Sequence, residues 1–210
     1  MKDQSRIIAK HLLKSSAVRL SPEKPFQWAS GWASPIYCDN RLTLSYPEIR
    51  NDISTGLIDL VKTYFPVADC ISGVATAGIP QASIIADKMN LPLSYVRPNP
   101  KSHGMQNQIE GRIEKGSKCV MVEDLISTGG SSLKAVEVLR NEGIEVIGLI
   151  AIFTYGFAMA DENFKKHNLK YHCLSNYAAL IDVAIENNFI KDEQMQTLKE
   201  WRKDPANWNK

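Results

Sequence analysis

The run Cys119–Ser132, CVMVEDLISTGGSS, constrains the fold more than any other segment. Its first four residues are apolar and read as a buried strand. Glu123 and Asp124 follow at the carboxyl end of that strand. After Leu125 and Ile126 come five small residues, Ser127, Thr128, Gly129, Gly130 and Ser131, which open a helix. In open α/β sheets, ligands bind at the carboxyl ends of strands. Backbone N–H groups and hydroxyls at a helix N-terminus favour an anion, and Gly129 and Gly130 let the backbone approach it closely. No Lys follows Gly130, so the run is not a Walker P-loop, and GxGxxG is absent. The acids precede the cradle. Adjacent acids are costly to bury unpaired, so they should meet hydroxyls, a metal or cations. Hydroxyls beside a phosphate describe a ribose 5-phosphate, with the acids on its 2′- and 3′-hydroxyls and the cradle on its 5′-phosphate. The plainer alternative is a capped helix after a strand whose two acids are solvated.

The rest of the chain supports an α/β fold. From residue 69 strands alternate with helices: strands at 69–72, 93–96, 118–122, 144–153 and 170–173, helices at 78–89, 129–141 and 158–167. That rhythm predicts a mostly parallel sheet with helices on both faces. Two helices close the chain, near 176–187 and 191–203. Ahead of residue 69 the spacing predicts helices over 3–15 and from Pro47 through Phe65. Between them Pro22, Pro25, Pro35 and Gly31 exclude a long helix and leave short strands near 26–28 and 36–38. Residues 97–112 show no periodicity, which is long for a structureless connector and suits a lid. Residues 97–118 hold Arg97, Lys101, Arg112, Lys115 and Lys118 against Glu110 and Glu114, with His103 beside them.

Composition excludes several classes. With 25 Lys plus Arg against 23 Asp plus Glu, the net charge of +2 rules out a bulk nucleic-acid binder. The 210 residues suffice for one domain with an unstapled core. Cys38, Cys70, Cys119 and Cys173 form no CxxC pair, and Cys70 and Cys119 read as core thiols. The charge-free apolar stretch Val146–Ala160 is 15 residues and too short to span a membrane. Residues 1–16 contain no continuous apolar region of a signal peptide. A soluble cytoplasmic protein is expected, without nucleic-acid or membrane partners.

VMVEDLISTGGSS resembles the phosphoribosyl-pyrophosphate (PRPP) motif of the type I phosphoribosyltransferases, and its LISTGG form resembles the orotate branch of that family. SGWASPIYCDNR (30–41) is similar to that branch's orotate-side segment, SGVATAGIP (72–80) to its pyrophosphate loop and RPNPKSHG (97–104) to its mobile catalytic loop. The likeness runs from about residue 20 to EWRKDP (200–205). It implies a single type I phosphoribosyltransferase domain, with a small N-terminal hood over roughly 1–65, a core over 66–175 and C-terminal helices over 176–210. It implies an enzyme that transfers ribose 5-phosphate from PRPP to orotate, yielding orotidine 5′-monophosphate and pyrophosphate in pyrimidine synthesis. Lys101 and Asp124 would be catalytic. PRPP or pyrophosphate would be held by Arg97, Lys101, His103 and the run Glu123, Asp124, Leu125, Ile126, Ser127, Thr128, Gly129, Gly130 and Ser131. Ser127 would also meet orotate. The implied cofactor is Mg2+, held mainly by substrate and water, and the implied assembly is a homodimer with shared active sites, each loop reaching its neighbour.

Two further residues are candidates for orotate. Tyr37 suits the pyrimidine face, or else is a core aromatic. Arg41 suits the substrate carboxylate as a bidentate partner, or else makes a surface salt bridge. AIFTYG (151–156) stands where some relatives supply an arginine to orotate, which favours Arg41. Two other readings compete: a non-catalytic regulator on the same fold, and a purine phosphoribosyltransferase. The lid cations argue against the first, and the 30–41 and ISTGG segments against the second.

Overall fold

The computed structural model describes residues 2–28, 31–99 and 107–208. In chain order these form α1 (Lys2–Lys14), β1 (Val18–Leu20), β2 (Phe26–Gln27), β3 (Ala33–Ser34), β4 (Ile36–Cys38), a 3₁₀ turn (Asn40–Ser45) and α2 (Pro47–Tyr64). There follow β5 (Cys70–Val74), α3 (Gly78–Met89), β6 (Leu93–Val96), β7 (Ile109–Glu110), β8 (Lys118–Ile126), α4 (Gly130–Asn141), β9 (Glu145–Thr154), α5 (Ala158–Lys166), β10 (Tyr171–Asn176) and α6 (Tyr177–Glu186). A second 3₁₀ turn (Asp192–Gln194) leads into α7 (Met195–Lys203).

A six-stranded sheet in the order β10-β9-β8-β5-β6-β7 forms the centre. Every neighbouring pair is parallel except β6–β7. Both faces are covered, so the inner strands are apolar in runs instead of alternating. On β8, Val120 and Val122 join the core beneath α1, α2 and α3, while Cys119 and Met121 join the core beneath α4 and α5. Cys70 and Cys119 are register partners on adjacent strands, both buried and both free thiols. The first core also takes in Ile8, Leu12, Ile53 and Leu57, so α1 and α2 are built into the sheet layer. Residues 18–38 form small antiparallel pairs, β1 with β4 and β2 with β3, and Val18 and Ile36 of these strands join the same core.

The expected α/β class, the mostly parallel sheet and the helices appear as read. Several elements differ: β1 and β3 lie where no strand is expected, and the helix expected over 191–203 begins as a 3₁₀ turn and is α-helical only from Met195. The strand expected over 118–122 continues to Ile126, because β9 runs alongside with Ala151, Phe153 and Thr154 as partners after β5 has ended. The acids therefore lie within the strand, not after it. Ile109–Glu110 adds an antiparallel edge strand to a segment read as aperiodic, since two residues are too few to show a period. The last strand extends to Asn176 instead of 173, carried by its pairing to Thr154. Among the described residues no helix is long and apolar enough to cross a membrane.

Candidate active site

Strand order defines a crevice. From β5 the chain moves outward to β6, and from β8 it moves outward the other way to β9. The neighbours β5 and β8 thus send their carboxyl-terminal loops to opposite faces, and the opening between those loops is the place where open sheets bind ligands. Ala75–Ala77 leads from β5 to α3, and the Ala75–Thr76 peptide is cis. Ser127–Gly129 leads from β8 to α4. Neither α3 nor α4 has a side-chain cap at its N-terminus, so two sets of first-turn N–H groups are left for other acceptors.

Two glycines make the approach possible. A Cβ on Gly78 would lie 2.3 Å from the Val122 carbonyl oxygen, so only glycine lets α3 begin this close to β8. Gly129 has φ +80°, and a Cβ there would meet the Phe164 ring at 2.6 Å.

The two acids do different things. Glu123 is buried and accepts hydrogen bonds from Ser132 Oγ and from the Asp124 N–H, both at 3.0 Å. Burial, then the neighbouring Asp124, pushes its carboxyl well above the usual carboxylate range. Asp124 is half-buried; burial pushes its carboxyl up, opposed first by a hydrogen bond with the Glu123 carboxyl and, more weakly, by the Arg41 charge of the hood segment. Its backbone carbonyl accepts from Asn40 Nδ2 at 2.8 Å. Asn40 in turn accepts from the Cys38 thiol at 3.2 Å. This buried amide therefore ties the 30–41 segment to the PRPP-like strand. Burial and the two nearby acids push the Cys38 thiol up, so it stays protonated.

Around that tie sit the remaining hood candidates. Arg41 donates two bonds to Asp39, at 2.7 and 2.9 Å, and holds the Asp39 carboxyl below its ordinary value. The arginine side chain is 59% exposed, so its fork is occupied but open to exchange. Tyr37 packs 5.7 Å from Phe26, ring to ring, with the Arg19 guanidinium 5.2 Å from its own ring. Tyr155, from AIFTYG, is buried among Trp28, Phe153, Phe157 and Trp201.

A third side is formed by the roots of the 97–112 segment. Arg97 N–H donates to the Gln108 carbonyl at 2.8 Å, and Gln108 Nε2 donates back to the Arg97 carbonyl at 3.3 Å. The Arg97 guanidinium meets Glu110 at 3.4 Å. A cavity of about 350 Å³ lies here, lined by Val74, Ala75, Arg97, Gln108, Ser131 and Lys134. It joins the loop after β5 to the first turn of α4. Lys101 and His103 lie outside the described residues.

The structure thus brings together Arg97, Ser131, Asp124, Arg41 and the 127–130 loop at one end of the sheet. It turns Glu123 aside to α4. Asn40 and Ser132 were not singled out from sequence, although both stand inside quoted motifs. A polar residue flanked by catalytic-looking neighbours gives no sign of which backbone it will bond. Among the described residues no group of three or more His, Cys, Asp or Glu side chains is placed to hold a metal.

The chain matches the phosphoribosyl transferase domain family model over residues 45–187. It is 64% identical to an orotate phosphoribosyltransferase of Cytophaga hutchinsonii over 203 residues, covering 97% of each chain. It is 54% identical to that of Bacillus subtilis over 200 residues, 95% of this chain and 93% of the relative. The crystal structure of orotate phosphoribosyltransferase from Aeropyrum pernix superposes with a TM-score of 0.76 at 29% identity, over 88% of this chain and 99% of that one.

Proposed function

The chain belongs to the phosphoribosyltransferase family, in its orotate branch, and from this we infer that it transfers ribose 5-phosphate from PRPP to orotate. The bond from the ribose anomeric carbon to the pyrophosphate oxygen breaks. A bond from that carbon to orotate N1 forms, N1 loses its proton, and pyrophosphate leaves. The reading is carried by one observation above all: similarity to orotate phosphoribosyltransferases holds across 97% of the chain.

The site chemistry follows from charge. Positive charge develops on the ribose carbon and negative charge on the leaving pyrophosphate, so positioned dipoles and cations count for more than a strong base. We assign the 5′-phosphate to the Ser127–Ser131 loop and the first turn of α4. The ribose hydroxyls fall to Asp124, and Glu123 serves chiefly to hold the Asp124 N–H and Ser132. The pyrophosphate is assigned to the loop after β5 and to Arg97, with Lys101 and His103 brought by the 97–112 segment of a partner subunit in a homodimer. Ser127, Tyr37 and Arg41 are assigned to orotate, Arg41 exchanging Asp39 for the substrate carboxylate.

The donor set fits a magnesium ion that keeps its waters and uses substrate oxygens, because Asp124 is the half-buried carboxylate facing the crevice. When bound, the ion neutralises charge on the pyrophosphate. Four free thiols suit a reducing cytoplasm. The test is consumption of orotate with PRPP and Mg2+, with adenine, hypoxanthine and uracil as alternative acceptors. Turnover of orotate alone is expected. No turnover of orotate, or faster turnover of a purine, overturns the reading.

A further inference from the structure

Gln81 is buried, 1% exposed, yet neither its Nε2 nor its Oε1 has a hydrogen-bond partner among the described residues. An unpaired buried amide destabilises a fold, and an apolar side chain of the same length would avoid that cost. Elsewhere this chain pairs its buried polar groups carefully: Ser94 with Ser72, Ser132 with Glu123, Thr43 with the Asn40 carbonyl. The unpaired amide at residue 81 therefore calls for a partner that arrives later.

Its position says which partner. Gln81 lies in the first turn of α3, three residues beyond Gly78. Long helical side chains lean toward the helix N-terminus, so this one covers the turn around Ala77 and Gly78. On the helix surface it shares a stripe with Ile85 and Lys88. Lys88 reaches Asn51 and Ser54 of α2, so the stripe faces the seam between α3 and α2. The loop beneath retains bonding capacity. Ala75 N–H is committed to the Val96 carbonyl at 3.0 Å, but the Thr76 carbonyl receives only a 3.3 Å bond from Ile79. A primary amide offers both donor and acceptor, the complement of a peptide group.

We propose that Gln81 is a positioning residue for the 75–77 loop: its amide pairs with the Thr76 peptide when a bound diphosphate draws that loop onto the ligand. The proposal rests on reading this loop as the pyrophosphate loop. Part of the ligand's binding energy is then realised at Gln81, one helical turn from any ligand atom.

The experiment uses Gln81→Met, which keeps side-chain length and removes the amide. Melting temperature is measured with and without PRPP and Mg2+, and KM is measured for both substrates. The unliganded Tm should equal or exceed that of the wild type, because nothing is paired there to lose. The PRPP-induced rise in Tm should shrink, and KM for PRPP should increase about tenfold, the worth of one or two neutral hydrogen bonds. KM for orotate should stay within about twofold of its original value. A fall of several degrees in the unliganded Tm would mean the amide is already paired and merely structural. An unchanged PRPP response would equally overturn the proposal. Wild-type protein that ignores PRPP would overturn both this inference and the assigned function; a responsive wild type with an equally responsive variant overturns this inference alone.

Discussion

A carboxyl group buried as Glu123 is has a protonation balance opposite to that of a salt-bridged surface acid. Its folded-state pKa is raised, by burial first and by Asp124 second. Folding therefore favours the protonated form. The associated stability is complete below the ordinary carboxylate range and declines as pH rises through the raised folded value. Asp39 has the opposite sign, since Arg41 lowers its pKa, but that pair is open to solvent and screened. Glu123→Gln removes the buried charge and can keep both partners, Ser132 and the Asp124 N–H. Thermal unfolding should show the variant about 2–4 °C more stable than wild type at pH 8, a change of order 1 kcal/mol for a chain this long. The difference should vanish near pH 4; a variant less stable at pH 8 would show that the charged form is favoured in the fold. Arg41 is the second decisive residue. Its fork already holds Asp39, so binding a substrate carboxylate there is an exchange of one partner for another. Arg41→Ala should raise KM for orotate about tenfold or more and leave KM for PRPP nearly unchanged, as expected for a charge-assisted bidentate contact. An unchanged orotate KM removes Arg41 from the site.

Elements set the distances between such residues, and α3 depends on the closest of them. Its first residue, Gly78, sits against the Val122 carbonyl, where an added Cβ would be 2.3 Å from the oxygen. Gly78→Ala must push the helix off β8 and carry the 75–77 loop with it. A loss of about 1–3 kcal/mol is expected from such overpacking, read as a lowered urea midpoint, together with weaker binding of PRPP. Unaltered stability and binding would mean that α3 has slack the structure does not show. This element also marks where sequence is legible and where it is not. The stripe of α3, the apolar run of β8 and the small residues 127–131 are local patterns, so their type and order can be read directly. The continuation of β8 past Val122 depends on β9, a partner more than twenty residues away, and Glu123 faces α4 only because Ser132 lies there. The bond from Asn40 to the Asp124 carbonyl spans 84 positions and leaves no periodic trace. What sequence gives is the chemistry of each motif; which motifs touch is decided by long-range packing.

At the scale of the whole molecule, the sheet brings three separated segments to one end: the hood through Asn40, the loop after β5, and the loop after β8. The roots of the 97–112 segment, Arg97 and Gln108, stand at the edge of that group and bond to each other, so the chain between them leaves and returns at one point. We propose that this segment acts as a lid, over its own crevice or over that of a second copy; resemblance to the family favours the second. Mixing two inactive variants separates these cases. Lys101→Ala lacks the lid cation, and Asp124→Asn lacks the crevice carboxylate. If each site is built from one subunit's lid and its neighbour's crevice, a mixed dimer has one site with both lesions and one site with neither. Random exchange at equal concentration makes half of all dimers mixed, so activity should recover to about a quarter of wild type. If each lid serves its own subunit, every site in every dimer carries one lesion, and mixing recovers nothing. The variants must first be unfolded and refolded together, or held dilute long enough to exchange, with sedimentation used to verify that dimers have re-formed. Recovery well above the sum of the separate variants establishes the shared site. Its absence, with dimers present, returns the lid to its own crevice and reassigns Lys101 and His103 to the subunit that carries them.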